Sequence, residues 1–110
     1  MKNQSYIIVA LDFSDLNELE SFVSILNPKL CKLKVGKELF VKFGPKVVEF
    51  LKSKGFDIFL DLKFHDIPNT VFAAVKASCE LGVWMLNVHA SGGEEMLTAA
   101  REAVDKKKYK

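Results

Sequence analysis

Four short apolar runs alternate along the chain with longer stretches in which apolar residues recur every three or four positions. The runs are Tyr6 to Leu11, Leu30 to Val35, Phe56 to Leu62 and Val83 to Val88. All four have the length and the β-branched or aromatic content of buried strands. Between and after them, Leu16, Leu19, Phe22, Val23 and Leu26 keep helical spacing, as do Val47, Val48, Phe50 and Leu51. Val71, Ala74, Val75 and Ser78 form a third stripe, and Met96, Leu97, Ala100 and Val104 a fourth. Ser14 or Asp15 suits the N-cap of the first helix, Gly55 and Gly82 suit helix C-termini, and Pro45 and Pro68 suit early helical turns. The pattern predicts four βα units with a period of roughly 25 residues, and hence a parallel sheet with right-handed crossovers.

Two architectures satisfy that pattern: an open doubly wound sheet, or half of an eight-stranded barrel. No Gly-x-Gly-x-x-Gly element follows the first strand, which removes the usual dinucleotide-binding signal. Polar residues within the strands say more. On a strand, residues i and i+2 share a face. Phe59, Asp61 and Lys63 therefore oppose Ile58, Leu60 and Leu62; Lys32 and Lys34 oppose Leu33 and Val35; Asn87 and His89 oppose Leu86 and Val88. Asp12 ends the first strand. Every strand thus carries polar or ionisable groups at or near its C-terminal end, where α/β enzymes and barrels place their chemistry.

Composition narrows the partners. The 110 residues are 49% hydrophobic, enough for one domain with one core. Sixteen basic residues against 14 acidic ones give a net charge of +2, and neither a nucleic-acid nor a membrane partner is expected. The one dense basic stretch, Lys106 to Lys110, reads as a solvated end rather than a nucleic-acid-binding tail. Cys31 and Cys79 lie in apolar segments without a second Cys or a His at ligand spacing, so no metal site is expected. The run Tyr6 to Leu11 is too short for a signal-peptide core or a membrane span, and the two thiols suit a reducing compartment, so the expected location is the cytoplasm.

Asp61, Lys63 and Asp66 form the densest candidate cluster, and Lys34 from the neighbouring strand can extend it into a row of alternating charge. A purely structural salt-bridge network at the top of the sheet is the competing interpretation, and Asp66 alone could cap the helix that begins at Pro68. Four charges gathered at strand ends exceed what closing a sheet requires, so the set points to function. His89 reads as a satisfied histidine at a strand end, and His65 receives no role. Ser91-Gly92-Gly93 reads as a turn and helix cap, although a phosphate cradle is the other possibility.

Asp61-Leu-Lys63-Phe-His-Asp66-Ile-Pro-Asn-Thr70 resembles the signature of the orotidine 5'-phosphate decarboxylase family. Val9 to Asp12, Leu33 to Glu38 and Asn87 to Gly93 are similar to its other N-terminal blocks, in the same order. The Asp-x-Lys-x-x-Asp core is shared with sugar-phosphate relatives of the superfamily; the Ile-Pro-Asn-Thr extension is what singles out this family. The resemblance implies a (β/α)8 TIM barrel of which residues 1–110 are the N-terminal half of one domain. It implies cofactor-free and metal-free decarboxylation of orotidine 5'-monophosphate to uridine 5'-monophosphate in pyrimidine biosynthesis. Lys63 would protonate C6 of the pyrimidine, Asp61 would lie beside the substrate carboxylate, Lys34 would hold Asp61 and the ribose, and Asp12 would bind ribose hydroxyls. Asp66, Ile67 and Thr70 would complete the site of a neighbouring subunit, making the active unit a homodimer.

A complete barrel of this type takes about 250 residues and eight strands, with phosphate sites after strands seven and eight. The family's phosphate-binding arginine, its closing-loop glutamine and its lid therefore fall outside this sequence, and the 110 residues alone are expected to show little or no decarboxylase activity. The alternatives are a non-catalytic half-barrel that acts as an assembly module, and a sugar-phosphate decarboxylase or synthase of the same superfamily.

Overall fold

The computed structural model describes residues 5–108. Nine principal elements follow one another: β1 (Ile8–Ala10), α1 (Leu16–Ser24), β2 (Lys32–Gly36), α2 (Lys37–Phe43), α3 (Pro45–Ser53), β3 (Ile58–Phe64), α4 (Pro68–Glu80), β4 (Met85–Val88) and α5 (Glu94–Lys108). A 3-10 turn over Ala90–Gly92 leads into α5. The strands form a single parallel sheet in the order β1-β2-β3-β4, with Val9 beside Leu33, Val35 beside Leu60, and Leu60 beside Leu86.

Each strand begins later than the apolar pattern predicts. β1 spans three residues rather than Tyr6 to Leu11, because it is an edge strand with one neighbour. Backbone bonds from Lys32 N–H to the Ile7 carbonyl and from Leu11 N–H to the Lys34 carbonyl prolong its pairing slightly, while Tyr6 is fully exposed. Leu30 sits in a turn closed by its N–H on the Asn27 carbonyl, ahead of β2. Phe56 is buried but precedes β3, which instead continues through Lys63 to Phe64.

One helix departs from the expected count. Gly36 is at once the last residue of β2 and the N-cap of α2, so strand passes into helix without a loop. Gly44, at φ 71°, breaks α2 from α3, and Pro45 starts α3 in its first turn. The other predicted ends are found. Asp15 caps α1, its carboxylate accepting from the backbone N–H of Asn17 and Glu18. Gly55 and Gly82 take positive φ just past α3 and α4, where a side chain would be strained.

Alternate strand residues lean on the helices. Leu33, Val35, Ile58 and Leu60 pack with Leu19, Val23, Leu39, Val47, Val48 and Leu51 from α1, α2 and α3. Phe64, Leu86 and Val88 lean on a second cluster of Val71, Val75, Met96, Ala100 and Ala103 from α4 and α5, and Leu86 touches both. The buried stripe of α5 therefore runs through Met96, Ala100 and Ala103, while Leu97 is 39% exposed. Ile58, Leu60 and Phe64 sit at even positions of the same strand, so all five helices cover one face of the sheet. That arrangement is singly wound, as in a barrel, and not the doubly wound alternative, which needs helices on both faces. The opposite face carries Lys34, Phe59, Asp61 and Asn87.

Both cysteines are thiols. Burial pushes the Cys31 thiol up from its ordinary value, as suits an unreactive core position. Of the basic C-terminal stretch, Lys106 is described, with its Nζ 5.5 Å from the Phe72 ring centroid; Tyr109 and Lys110 lie outside the described residues. No helix among the described residues is long and apolar enough to cross a membrane.

Candidate active site

Parallel strands bring their C-terminal ends to one edge, and β2 and β3 are hydrogen-bonded neighbours with Gly36 beside Asp61. Lys34 and Asp61 both project to the face away from the helices. Asp61 Oδ2 lies 3.3 Å from Lys34 Nζ, and Asp61 Oδ1 lies 2.8 Å from Lys63 Nζ. One carboxylate thus bridges two ammonium groups. These three residues border a cleft of about 160 Å³ together with Leu11, Asp12, Gly36, Lys37, Glu38 and Leu39. Asp12 reaches it from the end of β1, so Asp12, Lys34, Asp61 and Lys63 meet at one place, while Asp66, the fourth charge of the predicted row, does not join them.

Asp61 is the buried member of the row, at 6% exposure, while the Lys63 side chain is about half exposed. Burial by itself pushes the Asp61 carboxyl up. Hydrogen bonds from Lys63, Asn87 and Lys34, with the Lys63 charge, outweigh that effect and hold it at about 2, against an ordinary 3.8. Because the folded-state value lies below the unfolded one, this carboxylate stabilises the fold above pH about 4, and the contribution disappears as pH falls towards 2. A depression of that size corresponds to about 2 kcal/mol. The stability difference between the chain and its Asp61→Asn variant, measured by urea unfolding, should therefore shrink by about 2 kcal/mol between pH 5 and pH 2. A difference independent of pH would contradict the ion-pair assignment.

Lys63 itself departs from simple alternation. Its φ is 52°, the one positive value outside glycine among the described residues, and such a backbone costs a lysine on the order of 1 kcal/mol or more. The pairing of β3 with β4 slips at this point, between Leu60 and Phe64. The Asn87 side chain sits across the slip: its Oδ1 accepts from the Lys63 backbone N–H at 3.0 Å, and its Nδ2 donates to Asp61 Oδ1 at 2.7 Å. Strand parity places Asn87 on the correct face, but nothing in a linear pattern marks the slip that brings it against Lys63.

The remaining predicted residues lie elsewhere. Asp66, Ile67 and Thr70 are exposed on the β3–α4 connection and the start of α4, away from the Asp61 cleft. Asp66 and Thr70 border a separate cleft of about 200 Å³ with Leu62, Phe64, His65, Val71 and Ala74. Asp66 accepts from the Ile67 backbone N–H at 2.7 Å, and Ile67, not Asp66, occupies the N-cap of α4. His65 stacks on His89, with ring centroids 4.9 Å apart, and His89 Nδ1 accepts from the Ser91 backbone N–H. Ser91-Gly92 forms the turn expected of it, with Gly93 at φ 95° before α5.

A sequence profile described as the Orotidine 5'-phosphate decarboxylase / HUMPS family matches residues 5–110. The chain belongs to this family. An orotidine 5'-phosphate decarboxylase of Hahella chejuensis is 60% identical over 103 residues, 94% of this chain and 44% of that protein. One of Saccharophagus degradans is 63% identical over 99 residues, 90% of this chain and 42% of that protein. The crystal structure of an uncharacterized conserved protein from Geobacillus kaustophilus superposes with a TM-score of 0.85 at 47% identity, over 90% of this chain and 46% of the other. That of orotidine 5'-phosphate decarboxylase from Lactobacillus acidophilus gives 0.81 at 42% identity, over 90% of this chain and 45% of the other. The chain thus spans a little under half the length of these relatives, and its four βα units correspond to half of the family's barrel.

Proposed function

We propose that this chain carries the decarboxylating half of an orotidine 5'-monophosphate decarboxylase site, with Lys63 as proton donor. The observation that supports it is the row Lys34, Asp61, Lys63 in one cleft, with a single buried carboxylate held between two ammonium groups. In the reaction the bond between C6 and the carboxylate carbon breaks, carbon dioxide leaves, and the electron pair stays on C6. Lys63 gives its proton to C6, and the resulting amine regains one from solvent. The developing charge occupies an in-plane orbital that the ring delocalises poorly. A fixed ammonium aimed at that carbon stabilises it without reorganisation, an effect worth roughly 3 to 4 kcal/mol for one donor.

Asp61 orients Lys63 and lies beside the departing carboxylate; Lys34 fixes Asp61 from the other side and faces the ribose; Asp12, across the cleft, binds ribose hydroxyls. No cofactor or metal enters this scheme. The placement of Asp66, Ile67 and Thr70 away from the cleft is compatible with their serving the site of a second subunit in a homodimer. The active form acts in the cytoplasm on a free nucleotide.

Nucleotide binding at this cleft tests the reading. Titrating the isotopically labelled chain with 6-azauridine 5'-monophosphate should shift the signals of Asp12, Lys34, Asp61 and Lys63 together. If ribulose 5-phosphate with a divalent cation shifts that set and the nucleotide leaves it unmoved, the sugar-phosphate alternative replaces this proposal.

A further inference from the structure

A lysine has no local side-chain hydrogen bond of the kind that lets Asn or Asp visit the left-handed region, so the Lys63 backbone has to be held from outside. β3 places three residues, Asp61 to Lys63, between Leu60 and Phe64. Opposite them β4 has one, Asn87, between Leu86 and Val88. The Asn87 carboxamide spans the mismatch with both of its ends. Its oxygen takes the Lys63 backbone N–H, and its nitrogen gives a hydrogen to Asp61 Oδ1, the same oxygen that Lys63 Nζ reaches. A single planar group therefore fixes the backbone from which the ammonium extends and the carboxylate that aims it.

We infer that Asn87 is a positioning residue for Lys63, holding its left-handed backbone and anchoring Asp61 so that the ammonium keeps one direction. The inference rests on the proposed role of Lys63 as proton donor. Asn87 touches no reacting atom in that scheme; it acts through Lys63 and Asp61. A misplacement of about 1 Å at a reacting group can cost on the order of 100-fold in rate, so a carboxamide at this point has leverage over the chemistry. A plug that merely filled the slip between β3 and β4 would have no such leverage.

Two substitutions separate the two hydrogen bonds. Asn87→Ala removes both. Asn87→Asp keeps an oxygen for the Lys63 N–H but sets a carboxylate against the carboxylate of Asp61, beside the ammonium groups of Lys34 and Lys63 and across the cleft from Asp12. Amide exchange and carbon-detected titration of the labelled chain read both effects without substrate. In Asn87→Ala the Lys63 amide should exchange at least tenfold faster, and Asp61 should titrate higher than in the unsubstituted chain. In Asn87→Asp the Lys63 amide should stay protected while Asp61 rises. If a folded Asn87→Ala leaves both readouts unchanged, the inference is overturned. Should Asn87→Ala lose its fold by circular dichroism, Asn87→Asp decides: a raised Asp61 supports the inference and an unmoved one overturns it. In a full-length orotidine 5'-phosphate decarboxylase relative that has an asparagine at the position of Asn87, replacing it by alanine should lower kcat by about 100-fold with KM changed only a few-fold. A loss confined to KM would count against positioning. Because exchange and titration need no nucleotide, their failure is distinguishable from failure of the decarboxylase reading, which the nucleotide titration tests.

Discussion

Replacing by alanine the lysine at the position of Lys63, in a full-length orotidine 5'-phosphate decarboxylase relative that has one there, is expected to lower kcat by roughly 10,000-fold, with KM changed less than about tenfold. Two effects are removed together. A positioned general acid contributes about 100- to 10,000-fold, and a preorganised charge at the reacting carbon about 100- to 1,000-fold. The two overlap because one group supplies both, so their product overstates the loss. In the proposed role binding changes less, because the ammonium would face a carbon that acquires charge only in the transition state. Steady-state kinetics following orotidylate absorbance separate the terms. Equal losses in kcat and in nucleotide affinity would contradict the proton-donor role.

Removing the Asp61 carboxylate should have the largest effect on stability. Asp61→Ala leaves two ammonium groups, Lys34 and Lys63, facing each other without the anion that joins them, and removes the acceptor of the Asn87 Nδ2. Stripping one partner from a buried ion pair can cost 3–5 kcal/mol. Here Lys63 is half exposed and water relieves part of the repulsion. A loss of about 2 to 3 kcal/mol in urea unfolding is therefore expected for Asp61→Ala, of the same order as the free energy released when the carboxylate is protonated. An unchanged midpoint would mean that the row is not a coupled unit.

Much of this site is legible from residue order alone, because strand geometry has a period of two. Once Ile58, Leu60 and Leu62 are recognised as one face, Asp61 must lie on the other, and the parallel neighbour supplies Lys34 beside it. The helix ends were equally readable at Asp15, Pro45, Gly55, Pro68 and Gly82, where a cap or a backbone preference acts within a few residues. Features set by partners distant in sequence were not. α2 has no separating loop to announce it, since Gly36 serves strand and helix at once. The early limit predicted for β1 ignored that an edge strand has one neighbour, a property of sheet order and not of local composition. Lys63 keeps the side that parity assigns it, yet its left-handed backbone follows from the slip against β4, 24 residues away at Asn87.

The two hydrophobic clusters beneath the sheet divide the responsibility for this geometry. Lys34 and Asp61 hang from strands seated on α1, α2 and α3, whereas Asn87 lies between Leu86 and Val88, which lean on α4 and α5. Proteins open in cooperative units that follow such packing, each with its own free energy. An opening of α4, α5 and β4 as one unit would leave the Lys34–Asp61 pair standing while it withdrew the carboxamide that holds Lys63. Loosened packing at Met96 or Ala103, on the far side of the sheet from the charges, thereby reaches Lys63 through local unfolding, with no ionisable group altered.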